Sequence, residues 1–219
     1  LNPVTKIVVA FEIIACITAW LKYAQLRKTY WAAFPFYLSF IVLSEFAGYF
    51  LKELFPKHPE YNTHYYGYFE IPVEFLFFFF VFYMAIPKRA NRLLIVICTV
   101  IYLLVWLAEI KYVAENVNSF YSLSYTMGNL LLLILILMFF INLATSNEIV
   151  HFRENMLFWV SLGLMIFYLG SFPFYGLFDV MIKKHEQLME RYYYVVYGLN
   201  SLMYLMFTCS FIWGKPDIK

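Results

Sequence analysis

Charge is what this sequence has least of. Only 14% of its 219 residues are Asp, Glu, Lys or Arg, against about a quarter in an ordinary soluble domain, whose water-facing side needs them. With 63% apolar residues and a mean hydropathy of +0.70, the chain has too little polar surface to cover its apolar content in water. The apolar residues also come in runs rather than in the stripes of an amphipathic fold.

Cysteine is scarce too. Cys16, Cys98 and Cys209 all fall inside apolar runs and form no CxxC pair, which excludes a disulfide framework and a zinc-site signature. They read as small buried apolar residues. No Walker loop, GxGxxG, HExxH or GxSxG is present. No connection is long enough for a soluble catalytic domain or a nucleic-acid-binding module, so the sequence indicates no cofactor, no metal and no nucleic-acid partner. The last apolar run contains no lysine, which argues against a retinal pigment.

What is there is a series of spans. About 20 mostly apolar residues cross roughly 30 Å of hydrocarbon, and about seven stretches qualify: Val4 to Tyr23, Phe34 to Phe55, Tyr65 to Ile86, Asn91 to Val113, Ser119 to Ala144, Asn155 to Phe178 and Arg191 to Gly214. Only helices and closed barrels satisfy their backbone hydrogen bonds in lipid. Barrel strands alternate polar and apolar residues, and Leu130 to Ile141 does not alternate. The expectation is an all-α bundle forming one transmembrane domain over residues 1–219. Lys6 is a weak charged head and further spans follow, so the first stretch reads as retained rather than as a signal peptide. The chain begins at Leu1 rather than Met, consistent with a few residues missing ahead of it. Phe34-Pro35-Phe36-Tyr37 recurs as Phe172-Pro173-Phe174-Tyr175, but at different depths, so it is no sign of a duplicated unit.

Basic residues in short loops set orientation. Lys22, Arg27 and Lys28, then Lys88, Arg89 and Arg92, place the first and third connections in the cytoplasm, with the N-terminus outside and the C-terminus inside. Lys183, Lys184 and Arg191 would then lie outside, balanced by Asp179, Glu186 and Glu190. Aromatic residues make up 23% of the chain. Tyr61, Tyr65, Tyr66, Tyr68 and Tyr192 to Tyr194 suit an outer interfacial belt, with Trp31 and Trp213 in an inner one. Phe75 and Phe77 to Phe80 read as packing or lipid-facing residues. His58, His64, His185 and Glu60 read as ordinary loop residues rather than as a metal site.

Ionisable residues inside the spans carry the functional signal, because a charge at mid-membrane costs at least roughly 2.5 kcal/mol. Glu12, Glu45, Glu70 and Glu74 are four such residues. At 1.5 Å of rise per residue they lie about 12, 15, 8 and 14 Å from the outer ends of their helices, all in the outer half. Glu70 and Glu74 are four apart and share a helix face, and Pro72 between them removes a donor and frees a carbonyl. Asn129, Asn200 and Tyr197 come in from other spans at similar depth. Ser44 with Gly48, and Ala15 with Ala19, are small-residue pairs that would let the first two spans approach.

Phe69-Glu70-Ile71-Pro72, the Tyr30-Trp31 entry to the second span and Asn200 to Trp213 resemble stretches of small seven-helix inner-membrane proteins of bacteria associated with sensory signalling modules. The resemblance covers about a fifth of the chain, implies a bacterial inner-membrane location, and carries no catalytic residue. The reading preferred from the residues is a receptor-like sensor with an outward-facing acidic pocket. Glu12, Glu45, Glu70 and Glu74 would take a small cationic or hydrogen-bond-donating ligand, with Asn129, Asn200 and Tyr197 orienting it. These residues hold no output domain, so such a sensor would need a partner such as a membrane kinase. A small-molecule or proton-coupled transporter is the alternative. A lipid-modifying enzyme comes third, since no nucleophile or metal motif accompanies the carboxylates.

Overall fold

The computed structural model of this chain describes residues 3–86, 88–113, 122–176 and 186–216. Helices account for nearly all of them: α1 (Pro3–Leu21), α2 (Tyr23–Leu26), α3 (Ala33–Leu54), α4 (Pro59–Tyr65), α5 (Ile71–Ala85), α6 (Arg89–Val113), α7 (Ser122–Ala144), α8 (Met156–Gly176) and α9 (Glu186–Trp213). A 3-10 turn, Tyr30–Ala32, leads into α3, and a 3-10 segment, Asn147–Glu154, leads towards α8.

Six helical stretches among the described residues are long and apolar enough to cross a membrane: Val4–Leu21, Tyr30–Leu54, Glu60–Ala85, Arg89–Lys111, Leu123–Ala144 and Arg191–Trp213. They expose large apolar side chains along their length, among them Ile17, Leu43, Leu104, Leu137 and Leu202. Contiguous apolar surface of that extent suits lipid, not water. The chain is thus an all-α protein with the spans of a membrane protein. The expected sixth span, Asn155 to Phe178, is helical as α8, but its described apolar run, Met156–Phe172, is shorter than a full crossing. Leu177 and Phe178, the start of the fifth expected span at Ser119, and the expected loop bearing Asp179, Lys183, Lys184 and His185 lie outside the described residues.

Tertiary contacts divide the chain into two units. One comprises residues 1–42, 133–171 and 190–219, the other residues 43–132 and 172–189. The first has an aromatic core. Trp31 stacks on Phe34 at 5.6 Å between ring centres, and Phe34 meets Phe207 and Phe211 of α9 edge-on at 5.5 and 5.4 Å. Trp31 is only 1% exposed, so it is a core residue and not the interfacial anchor expected. The 3-10 turn ahead of α3 aims its ring inward. Within this unit α8 and α9 run close, because a Cβ on Gly163 would sit 2.9 Å from the Met206 Cβ and 3.0 Å from the Met203 carbonyl oxygen. Small residues permit that approach.

The second unit is built around the phenylalanine run of α5. Phe75, Phe78, Phe79 and Phe82 are buried, whereas Phe80 is exposed. Phe75 lies 5.1 Å from the Tyr102 ring of α6 and 5.7 Å from the Tyr125 ring of α7. At the far end of α5, Ile86 is extended at φ −87°, ψ 117°, as a residue before proline must be. Arg92 caps that end by donating its Nε–H to the Ile86 carbonyl at 2.8 Å.

Candidate functional site

Proline decides the geometry of the site. Pro72 has no N–H, and its ring crowds the carbonyl four residues back, at Tyr68. The helix answers by widening into a π turn over Tyr66–Glu70, with the Ile71 N–H bonded to the Tyr66 carbonyl. In that register the Gly67 carbonyl would pair with residue 72, which has nothing to donate. The Trp106 indole N–H of α6 takes its place at 3.0 Å. The freed carbonyl expected from Pro72 is therefore that of Gly67, and it is used to bind α6.

The π turn aims its polar side chains at the second half of α3. Ser44 donates to Glu70 Oε2 at 2.5 Å. Its single hydroxyl hydrogen is then committed, so the Tyr65 hydroxyl donates to Ser44 Oγ at 2.9 Å. One residue on, the Glu45 carboxyl is hydrogen-bonded by the Tyr66 side chain. Tyr66 reaches it over Gly48, where a Cβ would lie 2.4 Å from the Tyr66 hydroxyl oxygen. Glycine at 48 is what lets that phenol lie against the helix. The Ser44 and Gly48 face thus receives Tyr65, Tyr66 and Glu70, and the first two spans approach at Ser39, which Trp20 of α1 reaches with its indole N–H at 2.9 Å. Tyr65 and Tyr66 serve this network as well as any belt.

Deeper along α5, Glu74 lies within electrostatic reach of Tyr102 on α6. The Tyr102 hydroxyl there is fully buried, has no hydrogen-bond partner among the described residues, and feels the charges of both Glu74 and Glu109. Glu109, only 6% exposed, accepts from the backbone N–H groups of Leu123 and Ser124 at 2.8 and 2.7 Å. Those are among the unpaired donors of the first turn of α7, so a carboxylate from α6 caps the start of α7.

The sequence-derived residues therefore divide. Glu45, Glu70 and Glu74 belong to the second unit, the first two tied through neighbouring residues of α3 and the π turn. Asn129, fully buried on α7, lies in the same unit. Glu12, Asn200 and Tyr197 belong to the first. Glu12 is 1% exposed on α1. The Asn200 Oδ1 is buried without a hydrogen-bond partner among the described residues, and Tyr197 stacks with Tyr193 at 6.3 Å. Tyr102, Trp106 and Glu109 were missed, and Ser44 was read only as a small packing residue. The signal for Trp106 was Pro72 itself, which leaves a carbonyl of the preceding turn in need of a donor from elsewhere.

Among the other polar residues, His58 pairs with Glu60 at 2.7 Å and stacks on Tyr61 at 5.1 Å. Chemically, the π-turn network offers two carboxylates and three hydroxyls in apolar surroundings. That set can hold a proton, an amine or another hydrogen-bond donor. No family model matches this chain, and no curated protein or solved structure was found to match it, so the reading of the site rests on its own geometry.

Proposed function

We propose that this chain is a seven-helix, receptor-like sensor of a bacterial inner membrane. Its acidic and tyrosyl network takes a small cationic or hydrogen-bond-donating ligand, and a separate membrane partner such as a kinase carries the signal. The observation that carries this reading is the π turn of Tyr66–Glu70, placed within an apolar span and wired to Ser44 and Glu45. Single π turns occur disproportionately at functional sites, and carboxylates kept within spans do so as well.

A ligand that competes for Glu70 withdraws it from Ser44 and so releases the turn from α3, while Pro72 keeps the turn in its π register. Such a ligand acts only through its different affinity for the tied and the released turn. With basic loops in the cytoplasm, the network faces the outer half of the bilayer, as an environmental sensor requires.

Proton-coupled transport is the second reading. It is favoured by the buried Tyr102 hydroxyl in the field of Glu74 and Glu109, a series of titratable groups along one helix pair. The two are separated by reconstituting the protein in proteoliposomes and adding putrescine, ethanolamine or a pH step. Saturable binding without flux, lost in Glu70→Gln, supports the sensor. Flux of the amine or of protons that is lost in Glu74→Gln supports the transporter and refutes the sensor.

A further inference from the structure

A second site lies in the other unit, where α8 begins and α9 ends. A cleft of about 470 Å³ is lined there by Arg153, Glu154, Trp159 and Trp213. Its walls are built rather than incidental. The Trp159 indole N–H donates to the Arg153 carbonyl at 2.9 Å, and the Trp159 and Trp213 rings lie 5.1 Å apart. Lys215 holds the other side, donating its backbone N–H to the Glu154 carbonyl at 2.7 Å and its ammonium to Glu154 Oε2 at 2.7 Å.

The charge balance identifies what fits. Lys215 neutralises Glu154. Arg153 stays exposed, its guanidinium 5.8 Å from the Phe152 ring centre, with no carboxylate in ion-pair range among the described residues. One unmatched guanidinium is a fork for phosphate oxygens. Position supplies the rest. Trp213 closes α9 and Met156 opens α8, so the cleft sits at the level where a span leaves the hydrocarbon. Tryptophan prefers that level. Ile149 and Val150, on the same segment as Arg153, are exposed and would meet acyl chains there.

We propose that this cleft binds a phosphate group, and specifically the phosphodiester of an anionic phospholipid, with Arg153 on the phosphate and the paired tryptophans against the glycerol and upper acyl chain. Basic pockets between spans at the membrane surface have the chemistry for such headgroups. The site is independent of the acidic network.

The test is lipid retention by native mass spectrometry, on protein released from nanodiscs of equimolar phosphatidylglycerol and phosphatidylcholine. The protein should retain phosphatidylglycerol preferentially. Arg153→Gln should lower that retention about fivefold, the effect of one basic residue at an anionic surface, while Arg27→Gln leaves it unchanged. Equal losses in the two variants would mean that charge alone attracts the lipid, and would overturn the site. Retention that survives excess inorganic phosphate supports a lipid ligand, whereas displacement by phosphate would overturn the lipid assignment. Should Arg153→Gln fail to fold, Trp213→Leu reads the same site through its apolar wall, and undiminished phosphatidylglycerol retention in it would overturn the proposal.

Discussion

Glu109 and Glu154 both stand at helix ends, and both are held by two short contacts, yet their surroundings make them different interactions. Glu109 is buried and satisfies two backbone donors of α7. Glu154 is half exposed and pairs with an ammonium that water can also solvate. A buried donor left without its acceptor loses its hydration and gains nothing, at about 1–3 kcal/mol per group. An exposed ion pair exchanges one good environment for another. The comparison teaches that in this chain burial, more than charge, decides what a carboxylate contributes.

Glu109→Ala should accordingly have the largest effect on stability, about 3 kcal/mol, read as a lowered unfolding midpoint in detergent. Glu109→Gln keeps one acceptor and should lose less. Next comes Gly128→Ala. A Cβ there would stand 2.7 Å from the Phe75 ring, and overpacking of a filled core costs about 1–3 kcal/mol. Phe75→Leu in the Gly128→Ala background should recover part of the loss, and no recovery would mean that the strain lies elsewhere.

Ser44→Ala ranks third, at about 1–2 kcal/mol, because it strips Glu70 and Tyr65 of a shared partner. Loss in Ser44→Ala exceeding that in Glu109→Ala would break the ranking by burial. Glu154→Gln should have the smallest effect on the unfolding midpoint, and that effect should shrink further in high salt.

The clamp has a pH signature as well. The hydrogen bond and charge of Lys215 hold the Glu154 carboxyl below the usual carboxylate range. A depressed value means that the contact is fully present above the ordinary carboxylate pKa and is lost as pH falls through the lowered one. A nitroxide on Pro216→Cys should become more mobile on that acid side. Loosening at neutral pH would contradict the assignment.

Much of the fold was legible because apolar length in a membrane protein is nearly the same thing as helix position. The expected spans Phe34 to Phe55 and Asn91 to Val113 compare with Ala33–Leu54 and Arg89–Val113. The site was legible in its ingredients, Glu45, Glu70 and Pro72, but not in its connections. A π turn changes the direction of every side chain ahead of it, and nothing local announces whether a proline will kink, break or widen a helix. That Ser44 faces Glu70 depends on which helix lies beside α4 and α5, a tertiary fact. Trp31 went astray for a related reason, since its burial depends on α9, far along the chain. Glu109 escaped notice because its partners are backbone groups on the next helix.

The account rests on Glu70 and Ser44 forming a hydrogen bond that a ligand can displace at the π turn. Infrared difference spectroscopy on the protein in lipid, recorded as putrescine is added, reads carboxyl and amide bands together. The account predicts a carboxyl band change that disappears in Glu70→Gln, accompanied by an amide shift that disappears with it. A putrescine-induced carboxyl change that survives intact in Glu70→Gln would place the ligand elsewhere and contradict the account.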